Sequence, residues 1–74
     1  MEWSEEAEKV DTINGERRET VHARNVAELI DELGLPAPAI LAEHNGLALR
    51  RDEWPTQPLT EGDRIELVRI VAGG

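Results

Sequence analysis

Asn-Gly occurs twice in this sequence, at Asn14-Gly15 and Asn45-Gly46, each time between short runs with strand character. Both central residues of a type I′ turn need positive φ, which Asn followed by Gly supplies, so the pair is the strongest short-range signal for a hairpin. The first hairpin joins Val10-Asp11-Thr12-Ile13 to Glu16-Arg17-Arg18-Glu19-Thr20-Val21. Its first strand is the weaker one, because Asp11 alternates with Ile13, so that one of the two is expected to face the wrong way if that face is buried. The second hairpin joins the apolar run Ala39-Ile40-Leu41-Ala42-Glu43-His44 to Leu47-Ala48-Leu49.

A helix separates the two hairpins. Asn25 can cap its first turn while Glu28, three positions on, reaches back in the manner of a capping box. Val26, Leu29, Ile30 and Leu33 form one apolar stripe, with Glu28, Asp31 and Glu32 turned to solvent. Gly34 supplies a left-handed C-terminal residue and Pro36 forbids continuation. A helix of about nine residues is too short to be stable alone, so it must lie on a sheet. Arg50 to Pro58 is charged and proline-bearing, a crossing loop in which Trp54 is the one large apolar anchor. Leu59-Thr60-Glu61-Gly62-Asp63 gives a turn, and Arg64 to Val71 alternates as a final strand.

The order strand, strand, helix, strand, short strand, strand predicts an α+β domain of the β-grasp kind. Four to five strands form a small mixed sheet, with a single helix packed on one face. Residues 1–9, acidic and aperiodic, are expected to be a poorly ordered leader, with 10–71 the domain and 72–74 a flexible tail.

Composition removes several classes of function. With 74 residues there is one small domain and little room for a deep substrate cavity, so a pocket enzyme is disfavoured. Sixteen acidic against eight basic side chains give a net charge of −8, which argues against a nucleic-acid binder and against an anionic membrane surface. Cysteine is absent, which excludes disulfides, thiolate metal sites and a cysteine nucleophile. Neither a signal-like leader nor a membrane-spanning stretch is present, so the expected address is the cytoplasm. His22 and His44 lack metal-ligand spacing, and solvent or sheet-packing roles suit them better; no metal is expected. Arg17-Arg18 and Arg50-Arg51 read as solvated or paired with neighbouring acids.

Two regions stand out as candidate sites. Gly73-Gly74 follows the final strand with only Ala72 after Val71. Glycine adds nothing to a core and costs entropy on ordering; its use is thinness, since a tail without Cβ atoms can thread a narrow channel and present its carboxylate to another protein. The plain alternative is a frayed end. If Ile65 and Leu67 face the helix, alternation places Glu66, Val68 and Ile70 on the opposite face, two exposed apolar groups leading towards the tail. They are a candidate docking surface, the alternative being isolated surface aliphatics.

Taken together, these segments resemble the ubiquitin-like sulfur carriers of the ThiS type. The resemblance rests on Asn14-Gly15-Glu16, Val26-Ala27-Glu28-Leu29-Ile30, Leu33-Gly34-Leu35 and Glu43-His44-Asn45-Gly46. It continues through Arg51-Asp52-Glu53-Trp54, Leu59-Thr60-Glu61-Gly62-Asp63 and Val71-Ala72-Gly73-Gly74, so that it runs from about Val10 to Gly74. The acidic leader and Asp11, at a position where the family has an apolar residue, depart from the pattern. The resemblance implies a carrier that is the substrate of an enzyme and not itself a catalyst. An E1-like adenylyltransferase using ATP with Mg would adenylate the carboxylate of Gly74. A cysteine desulfurase or rhodanese-type donor would supply persulfide sulfur, and the thiocarboxylate so formed would serve thiazole synthase in making the thiazole of thiamine. Gly73 and Ala72 would give clearance, activating enzymes would dock at Glu66, Val68 and Ile70, and the chain would bind no cofactor of its own. Molybdopterin or tRNA thiolation, ubiquitin-type conjugation to lysines, and a plain β-grasp interaction module are the alternatives.

Overall fold

The two Asn-Gly pairs turn as their chemistry requires. In the computed structural model, which describes residues 10–20 and 22–70, Asn14 and Asn45 have φ of 52° and 51°, and Gly15 and Gly46 have 85° and 88°. Around them lie β1 (Val10–Ile13), β2 (Glu16–Glu19), β3 (Ile40–His44) and β4 (Leu47–Leu49). The helix α1 (Val26–Glu32) and the last strand β5 (Arg64–Arg69) complete the regular elements, with 3-10 turns at Ala37–Ala39 and Arg51–Thr56.

The five strands form one mixed sheet in the order β2-β1-β5-β3-β4. β5 runs parallel to β1 and antiparallel to β3, and each hairpin is antiparallel. This is the β-grasp arrangement, with the strand latest in sequence at the centre.

Both turn asparagines also clasp β5. The Leu67 N–H donates to Asn14 Oδ1 at 2.7 Å and Asn14 Nδ2 donates back to the Leu67 carbonyl at 3.1 Å. The Arg64 N–H donates to Asn45 Oδ1 at 2.7 Å, while the Asn45 N–H donates to the Arg64 carbonyl. The side-chain amides thus extend the ladder where the neighbouring strands have already turned away.

Asn25 caps α1, its side-chain oxygen accepting the Glu28 N–H at 2.8 Å. Glu28 reaches back one residue further than a capping box does, accepting the Arg24 N–H at 2.8 Å and pairing with the Arg24 guanidinium at 3.1 Å. Those bonds hold the Glu28 carboxyl below its ordinary pKa. The helix is seven residues long and not about nine, because Leu33 already serves as its C-cap. Gly34, at φ 71°, donates to Asp31 and Leu35 donates to Ile30, the paired bonds of a Schellman ending.

Val26, Leu29 and Ile30 pack against Ile13, Ile40, Ala42, Ile65 and Leu67, with Ala23, Trp54 and Leu59 closing the core. The segment expected to be a loop around Trp54 is instead a 3-10 turn, in which Glu53 accepts the Arg50 N–H at 2.7 Å. Trp54 is 4% exposed, and its indole N–H has no hydrogen-bond partner among the described residues.

Asp11 corrects a sequence-based expectation. It lies on the same inward face as Ile13, only 1% exposed, yet the strand keeps its register, with Ile13 opposite Ile65. Thr20 Oγ1 donates to its Oδ2 at 2.6 Å and the Asp63 N–H donates to its Oδ1 at 3.0 Å. A buried carboxylate is tolerable when its oxygens are hydrogen-bonded, and these bonds tie β1 to the turn before β5. Thr20 is drawn inward to make this contact, and β2 ends at Glu19. The leader expected over residues 1–9 and the tail expected over 72–74 lie outside the described residues, as do Val21 and Val71.

Candidate partner-docking face

With α1 on one side of the sheet, alternation along β5 sends Ile65 and Leu67 inward and leaves Glu66, Val68 and Ile70 outward. The outward groups are all exposed, Val68 at 55% and Ile70 at 47%. They are not isolated. In the β3–β5 register Leu41 stands directly opposite Val68 and is itself 55% exposed, so Leu41, Val68 and Ile70 form a continuous apolar strip. A contiguous group of exposed aliphatics is a candidate interaction surface, where scattered ones need no explanation.

The sequence reading does not single out Leu41, although a signal for it exists. The run Ala39-Ile40-Leu41-Ala42 is apolar at consecutive positions, so β3 has to be apolar on both faces; Ile40 and Ala42 fill the core and Leu41 is left in water. One step along the same register Glu43 faces Glu66, a like-charged pair. Neither carboxylate has an ion-pair partner among the described residues. Like charges directly opposite one another are unfavourable, and Arg64 lies exposed on the same outward face two positions before Glu66. At the other end of the strip the Ile70 N–H donates to the Ala39 carbonyl at 2.6 Å, which fixes the backbone from which residues 71–74 depart. Ala72, Gly73 and Gly74 lie outside the described residues.

A second polar cluster stands on the helix side of the sheet. His44 Nε2 lies 2.8 Å from Asp63 Oδ2, both side chains being largely buried at 14% and 10% exposure. Asp63 also accepts the Thr60 N–H at 2.9 Å, the Thr60 hydroxyl at 3.0 Å and the Asn45 amide at 3.3 Å. Burial pushes the Asp63 carboxyl up, but the Thr60 N–H, the His44 ring, the Asn45 amide and the Thr60 hydroxyl outweigh it and hold its pKa below the ordinary value. These contacts lock the β3–β4 turn onto the turn before β5. His22 is exposed and distant in role. Of the arginine pairs, Arg50 engages Asp52 at 3.4 Å and Glu53 at 3.8 Å, while Arg17, Arg18 and Arg51 make no ion pair among the described residues. No helix among the described residues is long and apolar enough to cross a membrane.

Comparison with known proteins agrees with this architecture. The sequence profile of the ThiS family matches residues 12–74. A sulfur carrier protein ThiS from Thermus thermophilus is 31% identical over 62 residues, covering 84% of this chain and 95% of that protein. An uncharacterized protein, ycf40, from Trieres chinensis is 27% identical over 62 residues, covering 84% of this chain and 85% of the other. The crystal structure of a thiamine biosynthesis protein (ThiS) from Geobacter metallireducens superposes with a TM-score of 0.75 at 29% identity. It covers 88% of this chain and 99% of that one. Sheet order, central β5 and a profile match over most of the sequence agree: the chain belongs to the ThiS family.

Proposed function

We propose that this protein is a sulfur carrier that delivers sulfur from a thiocarboxylate at Gly74, most directly for the thiazole of thiamine. What carries this reading is family membership over residues 12–74, together with an exposed apolar strip on the strand that leads to Gly74. The Thermus thermophilus relative is named a sulfur carrier and the Geobacter metallireducens protein a thiamine biosynthesis protein, which favours thiazole over other recipients.

The chemistry follows from the carboxylate. A free carboxylate is a poor acyl donor, so an E1-like adenylyltransferase uses ATP with Mg to join AMP to Gly74 and releases pyrophosphate. The terminal sulfur of a donor persulfide, on a cysteine desulfurase or rhodanese-type protein, attacks the acyl carbon and AMP leaves. The resulting acyl disulfide is cleaved by a second thiol, which forms a disulfide with the donor cysteine and leaves sulfur on Gly74. Thiazole synthase then consumes the thiocarboxylate. The chain contributes no catalytic group. It presents Gly74 through the narrow Ala72-Gly73 segment and offers Glu66, Val68 and Ile70, with Leu41, as the handle. Because this chain has no cysteine, it cannot form a competing thioester of its own.

The test is the intact mass of untagged protein coexpressed with the activating enzyme and a sulfur donor. A species heavier by the exchange of one oxygen for sulfur, localised by fragmentation to Gly74, is the expected result. Only the plain acid, with the enzymes active on another carrier, refutes it, and ladders of larger conjugates in the source cells would point to a protein modifier instead.

A further inference from the structure

The apolar strip continues beyond Ile70 into a depression of about 420 Å³ at the end of the sheet from which the chain departs. Ile40, Leu41, Leu49 and Ile70 line it together with Arg50 and Arg51, and the 3-10 turn with Pro38 forms its far wall. The two arginines are out of keeping with the rest of the molecule, which carries a net charge of −8 with only eight basic side chains in all. Arg51 is exposed and makes no ion pair among the described residues, and Arg50 holds its two acids at 3.4 and 3.8 Å while remaining 78% exposed. At the opposite end of the strip stands the Glu43–Glu66 pair, with Arg64 exposed on the same outward face two positions before Glu66.

We propose that this depression is the second half of the docking face, and that it receives a carboxylate-bearing loop of the activating enzyme against Arg51 and Arg50. The proposal rests on the carrier reading and adds to it the chemistry of the partner. An acidic loop would be repelled by most of this chain and has a complementary site here, where the apolar floor is continuous with the Leu41–Val68–Ile70 strip. Guanidinium groups favour such a contact, since each can take a carboxylate with two parallel hydrogen bonds and gives up its hydration more readily than an ammonium does.

The experiment is ATP–pyrophosphate exchange by the adenylyltransferase of the source organism, with the carrier concentration varied. Arg51→Glu should raise the carrier concentration at half-maximal rate about tenfold, and Arg51→Ala by roughly a third of that, with kcat and the KM for ATP unchanged. Arg24→Glu, an equal change of charge on the helix side of the sheet, should leave the carrier KM as it was. Thermal melts establish that each variant is folded. An unchanged carrier KM in Arg51→Glu and in the double variant Arg50→Glu/Arg51→Glu overturns the proposal, as does an effect confined to the KM for ATP, which would assign the arginines to nucleotide phosphate. No exchange with the unaltered chain refutes the carrier reading itself, a result that these variants cannot mimic.

Discussion

Replacing Asp63 by Ala removes four hydrogen bonds at once, from Thr60 N, Thr60 Oγ1, His44 Nε2 and Asn45 Nδ2. Thr60 and Asn45 are exposed residues whose hydroxyl and amide can turn to water, so little is lost through them. The Thr60 N–H and the His44 ring nitrogen are held in place, and each donor left without an acceptor costs about 1–3 kcal/mol. Neighbouring losses do not add fully, so the expected destabilisation is roughly 2–5 kcal/mol. A chain of this size has about 4–11 kcal/mol in total, so the effect should be plain in urea unfolding at neutral pH. Asp63→Asn, which keeps the shape and one acceptor oxygen, should fall between the two. The pH dependence has a definite sign. The folded-state pKa of Asp63 is depressed, so its contribution is present above the ordinary aspartate pKa and disappears as the pH falls through the lower folded value. The stability difference between the native chain and Asp63→Asn should therefore shrink on acidification through and below that range. A loss under about 1 kcal/mol for Asp63→Ala, or a difference that persists at the lowest pH, would refute this account of the cluster.

Further variants probe other parts of the fold. Asn14→Ala loses two bonds to Leu67 and strains a left-handed residue, so urea midpoints should report a loss of about 2–3 kcal/mol, with Asn14→Gly less affected. Trp54→Phe removes a buried N–H that has no partner among the described residues and should change stability by less than about 1.5 kcal/mol. Trp54→Ala, which empties the same site, should cost about 3–5 kcal/mol. Val68→Asp and Leu41→Asp alter exposed groups and should shift the melting midpoint little, while raising the carrier KM in the exchange assay at least tenfold; unaltered kinetics would dismiss the strip as a docking surface.

The parts of the fold that were legible in the sequence are those whose cause is local. Asn14-Gly15 and Asn45-Gly46 specify their own turns, and Gly34 with Pro36 ends the helix where its carbonyls need closing. Alternation along β5 sorted Ile65 and Leu67 from Val68 and Ile70 without knowledge of any neighbour. The rest depended on partners far away in the chain. Asp11 looks misplaced until Asp63, 52 positions on, supplies an N–H, and His44 looks like a sheet-packing residue until Asp63 is placed beside it. Leu41 became part of the exposed apolar strip only through its register with Val68, and the Trp54 segment hid a 3-10 turn behind charge and Pro55.

The central position of β5 also bears on biosynthesis. Its neighbours on either side, β1 and β3, are made well before it, and neither pairs with the other. A nascent chain that lacks β5 holds two separate hairpins and a helix with no continuous sheet to rest on. Closure must wait for the final stretch, and pairing between such distant segments is slow to nucleate. Completion of the fold is thereby coupled to synthesis of β5: a product terminated before that strand would be left open and available to proteolysis.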